Sequence, residues 1–308
     1  MSAHTIYLDH FGLTGRPFTL LPDPDFLYWS PSHKQAFTVL EYGIMSRSPI
    51  IVVTGEIGSG KTTLLREFLR RIEDDIQIGL ISNAQGDRGE LLHWVLMSLG
   101  QTVEPDASYV QLFHQFQAAL IDAYANGRRT VLIFDEAQNL SLETLEELRM
   151  FSNINSDQDE LLQLILVGQP ELLDKIADPS LEQFAQRVGA EFHLPRLAAK
   201  DVDRYIDHRL KVVGAERRIF TKLASEKVHL ATGGTPRLIN RLCDFALLYA
   251  FSEGRKTVDE TTIDAVVRDQ HLFSLAQAER DRQKTRAARA RGEQPSGDGP
   301  ISLWDVKK

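Results

Sequence analysis

The chain has 308 residues, 43% hydrophobic and 25% charged, a net charge of −8 and a single cysteine, Cys243. These values describe a soluble globular protein of one large or two modest domains. They exclude an intramolecular disulfide and argue against coating nucleic acid by bulk electrostatics, although a local basic patch stays open. No apolar run approaches the roughly 18 residues of a membrane span. The opening MSAHTIYLDHFG has neither the basic nor the apolar region of a secretory signal, so the expected setting is the cytoplasm, with no integral membrane segment.

Residues 1–48 read as an arm followed by a helix. In GRPFTLLPDPDFLYWSP, Pro17, Pro22, Pro24 and Pro31 forbid a continuous helix. The aromatics Phe18, Phe26, Tyr28 and Trp29 are expected to pin this arm to the neighbouring domain by packing. A helix over about 32–46 then leads to the β-branched run 50–53.

That run opens VVTGEIGSGKTTLLREF, which contains GxxxxGK[ST] from Gly55 to Thr62. With a strand before it and a helix after it, the motif reads as a phosphate-binding loop. Its glycines let the backbone N–H groups turn inward, and the helix presents its positive end to the same anion. The nucleotide-binding set is Gly55, Glu56, Ile57, Gly58, Ser59, Gly60, Lys61, Thr62 and Thr63. Lys61 is assigned to the β- and γ-phosphates, and the Thr62 hydroxyl to Mg²⁺.

From 49 to 195, short apolar runs (50–55, 76–82, 130–136, 161–168, 190–194) alternate with segments of helical spacing such as 88–99 and 109–125. This alternation predicts an α/β fold, a parallel sheet covered by helices on both faces. One strand, TVLIFDE, ends in two carboxylates at the edge where open α/β sheets bind ligands. Asp135 is placed to hold Mg²⁺ through its water shell. Glu136 is placed to orient and deprotonate an attacking water. The plain alternative is an acidic helix cap. A second carboxylate at this point favours hydrolysis over transfer to a small acceptor, hence ATP and Mg²⁺ as ligands and an ATPase rather than a kinase.

Residues 196–270 read as helices only. Thr235 is the expected N-cap of one, Pro236 its first residue, and Ile239, Leu242, Ala246 and Tyr249 its apolar stripe. From 271 to 308 the chain becomes highly charged and then rich in Gly, Pro and Ser, which reads as a disordered tail.

The stretches PFTLLPDPDFLYWSPSHKQAF, TGEIGSGKTTLLR, IFDEAQNL, LLQLILVGQPEL, QRVGAEFHLPRL, YIDHRL and GGTPRLINRLCDFAL occur in order over about residues 11–250. Together they resemble AAA+ ATPases of the ExeA/GspA type, and more distantly the AAA+ regulators of transposition. The resemblance implies a five-stranded αβα ATPase domain, a helical lid and self-assembly into rings or short spirals. It implies three further site residues. Gln169 in VGQPEL takes the place of a polar residue that senses the γ-phosphate or attacking water. Arg187 in QRVGAEF takes the place of an arginine finger entering a neighbour's site. Arg237 in GGTPR takes the place of a lid arginine facing the γ-phosphate. Members of the secretion type continue into a membrane span and a peptidoglycan-binding domain, and neither is expected in this sequence. The resemblance implies envelope-assembly proteins as the partners expected first, with DNA the alternative.

Overall fold

Five runs rich in Val, Ile and Leu form the strands β1 (Ile50–Gly55), β2 (Ile76–Ser82), β3 (Arg129–Asp135), β4 (Leu162–Gly168) and β5 (Val188–Leu194). They pair in parallel in the order β2-β3-β4-β1-β5, the α/β sheet that the alternation predicts. The structure, a computed structural model, describes residues 6–73, 75–82, 90–156 and 159–269. The tail read at 271–308 lies outside the described residues.

β1 and β4 are buried along their whole length and show no polar alternation, because helices cover both faces. Ile50, Val52, Leu132, Phe134, Leu164 and Leu166 face one side, against the helices Glu90–Ser98, Tyr109–Ala125 and Leu142–Phe151. The intervening Ile51, Val53, Val131, Ile133, Ile165 and Val167 face the helices Pro31–Met45 and Lys61–Arg71. The register decides where the site lies. Thr54 pairs with Gly168, Asp135 with Val167, and Gly55 with Leu194. The ends of β1, β3, β4 and β5 are therefore level, and the residues that follow them emerge along one edge.

The helices Ala199–Val212, Lys222–Thr232, Pro236–Ser252 and Glu260–Asp269 enclose a separate core. Tyr249 departs from the expected stripe. It is half-buried with its hydroxyl bonded to Asp269, while Ile239, Leu242, Cys243, Ala246, Leu247 and Ala250 are buried. With 3.6 residues per turn, position 250 rather than 249 falls beneath the preceding contacts.

The N-terminal arm joins this helical core. Tyr7, Leu8, Phe11, Leu13 and Phe18 are buried within it, and Thr14 bonds to the Val213 carbonyl at 2.9 Å. Arg16 pairs with Asp244 at 2.6 Å. Phe18 meets Phe220 edge-on at 5.9 Å between ring centres, and Tyr28 meets Tyr205 at 6.1 Å. Trp29 turns the other way, onto Phe37 of the sheet's helical layer, with the Arg71 guanidinium over its ring. Each fully buried aromatic of this kind stabilises by roughly 1.5–3 kcal/mol. The arm is thus fastened mainly to the helical unit, and residues 19–28 cross from that unit to the sheet.

Candidate nucleotide site

The loop after β1 turns through Gly58 (φ 75°) and Gly60 (φ 104°), left-handed conformations that glycine adopts without steric cost. Lys61, the first residue of the following helix, is buried. Its ammonium donates to the Gly55 carbonyl at 2.7 Å and the Glu56 carbonyl at 3.1 Å. Burial lowers the pKa of this lysine, and Glu136 and Asp135 act in the opposite direction. The Ser59 hydroxyl is buried with no hydrogen-bond partner among the described residues. Glu56 faces outward and pairs with Arg196 at 3.4 Å. Ile57 is exposed at the mouth of the cleft.

Thr62 Oγ1 donates to Asp135 Oδ2 at 3.2 Å. Burial raises the Asp135 pKa, partly offset by its bond from the Glu136 N–H and by Thr62 and Lys61. One hydroxyl and one carboxylate, both hard oxygen donors, thus converge beside a buried lysine. This set fits Mg²⁺, which takes one or two protein ligands and completes its shell with water and phosphate oxygens.

Glu136 adopts a left-handed conformation (φ 58°), which costs an L-residue roughly 1–2 kcal/mol. It is the N-cap residue of the short turn Ala137–Asn139, to which its side chain gives no capping hydrogen bond. Its Oε2 accepts from Gln138 Nε2 at 2.7 Å and from Gln169 Nε2 at 3.3 Å. Gln169 follows β4 directly and lies along the same edge.

Arg237 enters from the opposite wall. Its backbone N–H donates to the Gly58 carbonyl at 3.2 Å, and a Cβ added to Gly58 would stand 2.6 Å from Arg237 Cβ. The helix Pro236–Ser252 thus begins against the phosphate-binding loop, and only a glycine at 58 permits the approach. The cleft between the two walls extends from Lys61, Thr62, Glu136, Gln169 and Arg237 to an end formed by the arm and the helical unit. At that end Arg209 is buried over the Phe26 ring, 4.5 Å from its centre. It donates to the Pro17 carbonyl at 2.5 Å and to Thr19 Oγ1 at 3.2 Å. Asn240 accepts from the Tyr205 hydroxyl and donates to the Thr19 carbonyl.

Arg187 stands apart from this cleft. Ile50, at the start of β1, pairs with Val188, so Arg187 lies at the end of the sheet opposite Gly55. At about 3.3 Å per residue, β1 alone separates the two by nearly 20 Å. The guanidinium donates to Ser152 O at 3.1 Å and Ser152 Oγ at 3.0 Å.

Sequence reasoning missed His33, Gln138 and Arg209, although each lies in a stretch it singled out. His33 supports the loop from below. Ser30 Oγ accepts from the His33 N–H at 3.2 Å and shares a hydrogen bond with Nδ1 at 2.7 Å, and a backbone hydrogen bond with Ser59 ties the ring to the loop. Burial pushes this imidazole down from 6.5 to about 4, with the Ser59 bond acting the other way. The folded chain therefore favours neutral His33, and the unfolded chain binds the proton first as pH falls. Stability present above pH 6.5 is lost progressively towards pH 4, by about 3 kcal/mol in total. Melting temperatures measured from pH 7 to pH 4 should show this decline. His33→Gln, which keeps a donor at similar reach, should show a shallower one.

A five-stranded parallel sheet in this order, with the phosphate loop after β1, two carboxylates at the end of β3, a polar residue after β4 and a helical unit beside the cleft, is the fold of the AAA+ class of P-loop proteins. Residues 44–176 match the AAA domain family. More particularly, the chain is similar to General secretion pathway protein A of Aeromonas hydrophila, 39% identical over 81% of this chain and 46% of that protein. It is 26% identical to the Mu-like prophage FluMu DNA transposition protein B of Haemophilus influenzae, over 55% of this chain and 54% of that protein. The chain thus spans about half the length of these curated relatives. Among solved structures, the Aeropyrum pernix ORC2 protein shares the fold, with a TM-score of 0.59 and 17% identity over 79% of this chain and 71% of that one. No helix among the described residues is long and apolar enough to cross a membrane.

Proposed function

We propose that this chain binds ATP in the cleft and hydrolyses it by in-line attack of water on the γ-phosphorus. The observation that carries the reading is the convergence of Lys61, Thr62, Asp135, Glu136, Gln169 and Arg237 on one edge of the sheet. The phosphate chain lies along the loop, where the Lys61 ammonium exchanges its two carbonyl partners for β- and γ-phosphate oxygens. Thr62 and Asp135 would hold Mg²⁺, which when bound supplies charge neutralisation at those oxygens. Glu136 takes the proton of the attacking water as the P–O bond to ADP breaks. Gln169 donates to the water or the γ-phosphate, and Arg237 links the charge of that phosphate to the angle of the helical unit. The base and ribose rest at the far end, between the arm and the helices carrying Tyr205, Arg209 and Asn240.

The test is ATP binding and turnover by the parent chain and Lys61→Ala. The parent should bind and hydrolyse ATP, and Lys61→Ala should lose binding or turnover. A parent chain with no affinity for ATP overturns the reading.

In its wider role the chain works as a cytoplasmic ring or spiral of identical subunits that assembles, positions or remodels an envelope-assembly complex of secretion, pilus or polysaccharide export. Similarity to General secretion pathway protein A supports that setting. Similarity to a DNA transposition protein favours a second reading, an ATP-switched adaptor on DNA. DNA binding that depends on ATP and weakens steeply with salt would select the second reading.

A further inference from the structure

Gln138 ties together more of the site than any residue beside it. Its Nε2 donates to Glu136 Oε2 at 2.7 Å, and its Oε1 accepts from the Gln169 N–H at 2.9 Å. These two bonds settle which way the amide faces, since a carboxylate needs the donor and a backbone N–H needs the acceptor. Its carbonyl accepts from Lys175 Nζ at 2.6 Å, and the same ammonium holds the Leu140 carbonyl at 2.7 Å. The turn carrying Gln138 is thereby fixed from the helix Glu171–Ile176, which follows Gln169 after one proline. A Cβ on Gly168 would stand 3.1 Å from Gln138 Oε1 and 3.2 Å from its N, so the last residue of β4 leaves the space that the amide occupies.

We propose that Gln138 is a positioning residue for Glu136, an inference that rests on the reading of Glu136 as general base. The amides of Gln138 and Gln169 both reach Oε2. Among the described residues Oε1 takes no hydrogen bond, so this oxygen is the one presented to water. Two charge-assisted bonds on one oxygen hold the carboxylate in one orientation. Through its Oε1, the same Gln138 amide sets the backbone of Gln169, the other group aimed at the reacting water. One side chain therefore registers the end of β3 against the end of β4, and with it the base against its polar partner.

The experiment is steady-state and single-turnover ATP hydrolysis by the full chain, its Gln138→Ala and Gln138→Met variants, Glu136→Gln, and the double variant Glu136→Gln with Gln138→Ala. Gln138→Met preserves volume and removes both hydrogen-bonding atoms, which covers the case in which the alanine variant folds poorly. The expected result is a fall in kcat of about tenfold to a hundredfold for both single Gln138 variants, the usual cost of a misplaced reacting group. KM and nucleotide affinity should stay near the parent values, because the loop and Thr62 are untouched. In the Glu136→Gln background the Gln138 change should have no further effect, since groups acting as one unit do not add.

A Gln138 variant with parent kcat beside an inactive Glu136→Gln overturns this inference and leaves the base assignment standing. A parallel loss of affinity, kcat and melting temperature makes Gln138 a brace only, and also overturns it. A further loss in the Glu136→Gln background means that Gln138 acts without Glu136, with the same consequence. Normal turnover by Glu136→Gln removes the base assignment, and the inference with it.

Discussion

Glu136→Gln should bind ATP as tightly as the parent chain and hydrolyse it about 10²–10⁴ times more slowly, the usual worth of a positioned general base. The substitution changes one oxygen to an amide and leaves the shape of the site in place. Lys61, Thr62 and Asp135 keep their bonds, so the phosphate and metal contacts are unaffected. What is lost is the acceptor for the water's proton. ATP should accumulate on the protein, which makes trapped nucleotide the direct measurement: retention of radiolabelled ATP through gel filtration, together with turnover by phosphate release. The trapped state should also hold whatever assembly ATP favours. Turnover near the parent rate would refute the assignment. Asp135→Asn offers a contrast. Burial raises the pKa of this carboxyl, so its ionised form costs stability at neutral pH. The amide should raise the melting temperature while removing activity, a gain in stability made at the expense of function.

The parts of the site that were legible in the sequence are those in which a short stretch contains its own geometry. The phosphate loop needs its glycines, its lysine and its threonine within one strand–turn–helix passage, and the structure places Gly55 to Thr62 in such a passage. Asp135 and Glu136 were legible because an apolar run fixes a buried strand and its last residues must then emerge at the sheet edge. The five strands were legible for the same reason, and their boundaries shift by at most two residues. Long-range contacts were not. That Phe18 and Tyr28 turn towards the helical unit, while Trp29 turns towards the sheet, depends on partners roughly 200 residues away for the first two and eight for the third. Nothing in the spacing of those aromatics encodes the choice. His33 reads as an ordinary helix residue, and only the fold brings Ser59 over it. Gln138 reads as a turn residue after DEA, because the N–H that fixes its amide belongs to Gln169, 31 residues on.

Arg187→Ala should lower turnover by about 10³–10⁵, the range associated with an arginine that stabilises the transferring phosphoryl group. The position of Arg187 makes this prediction sharp. Within its own chain it stands at the start of β5, roughly 20 Å from the phosphate loop at the spacing of a strand, and it is bonded to Ser152. No rotamer of an arginine spans that distance, so it acts on the phosphate of another copy or on none. Two consequences separate these cases. If it acts on another copy, the rate per protomer of the parent chain rises with protein concentration as sites form between subunits. Mixing Arg187→Ala with Glu136→Gln then restores turnover from two inactive preparations, since one supplies an intact base and the other an intact arginine. If turnover per protomer is flat with concentration and survives Arg187→Ala, the residue is a brace for the end of the helix Leu142–Phe151. The ATPase site would then be complete within one chain. Complementation is the more decisive measurement, because a subunit interface that merely stabilises the fold restores no activity between variants each defective in its own site. Recovery on mixing requires that the site be shared.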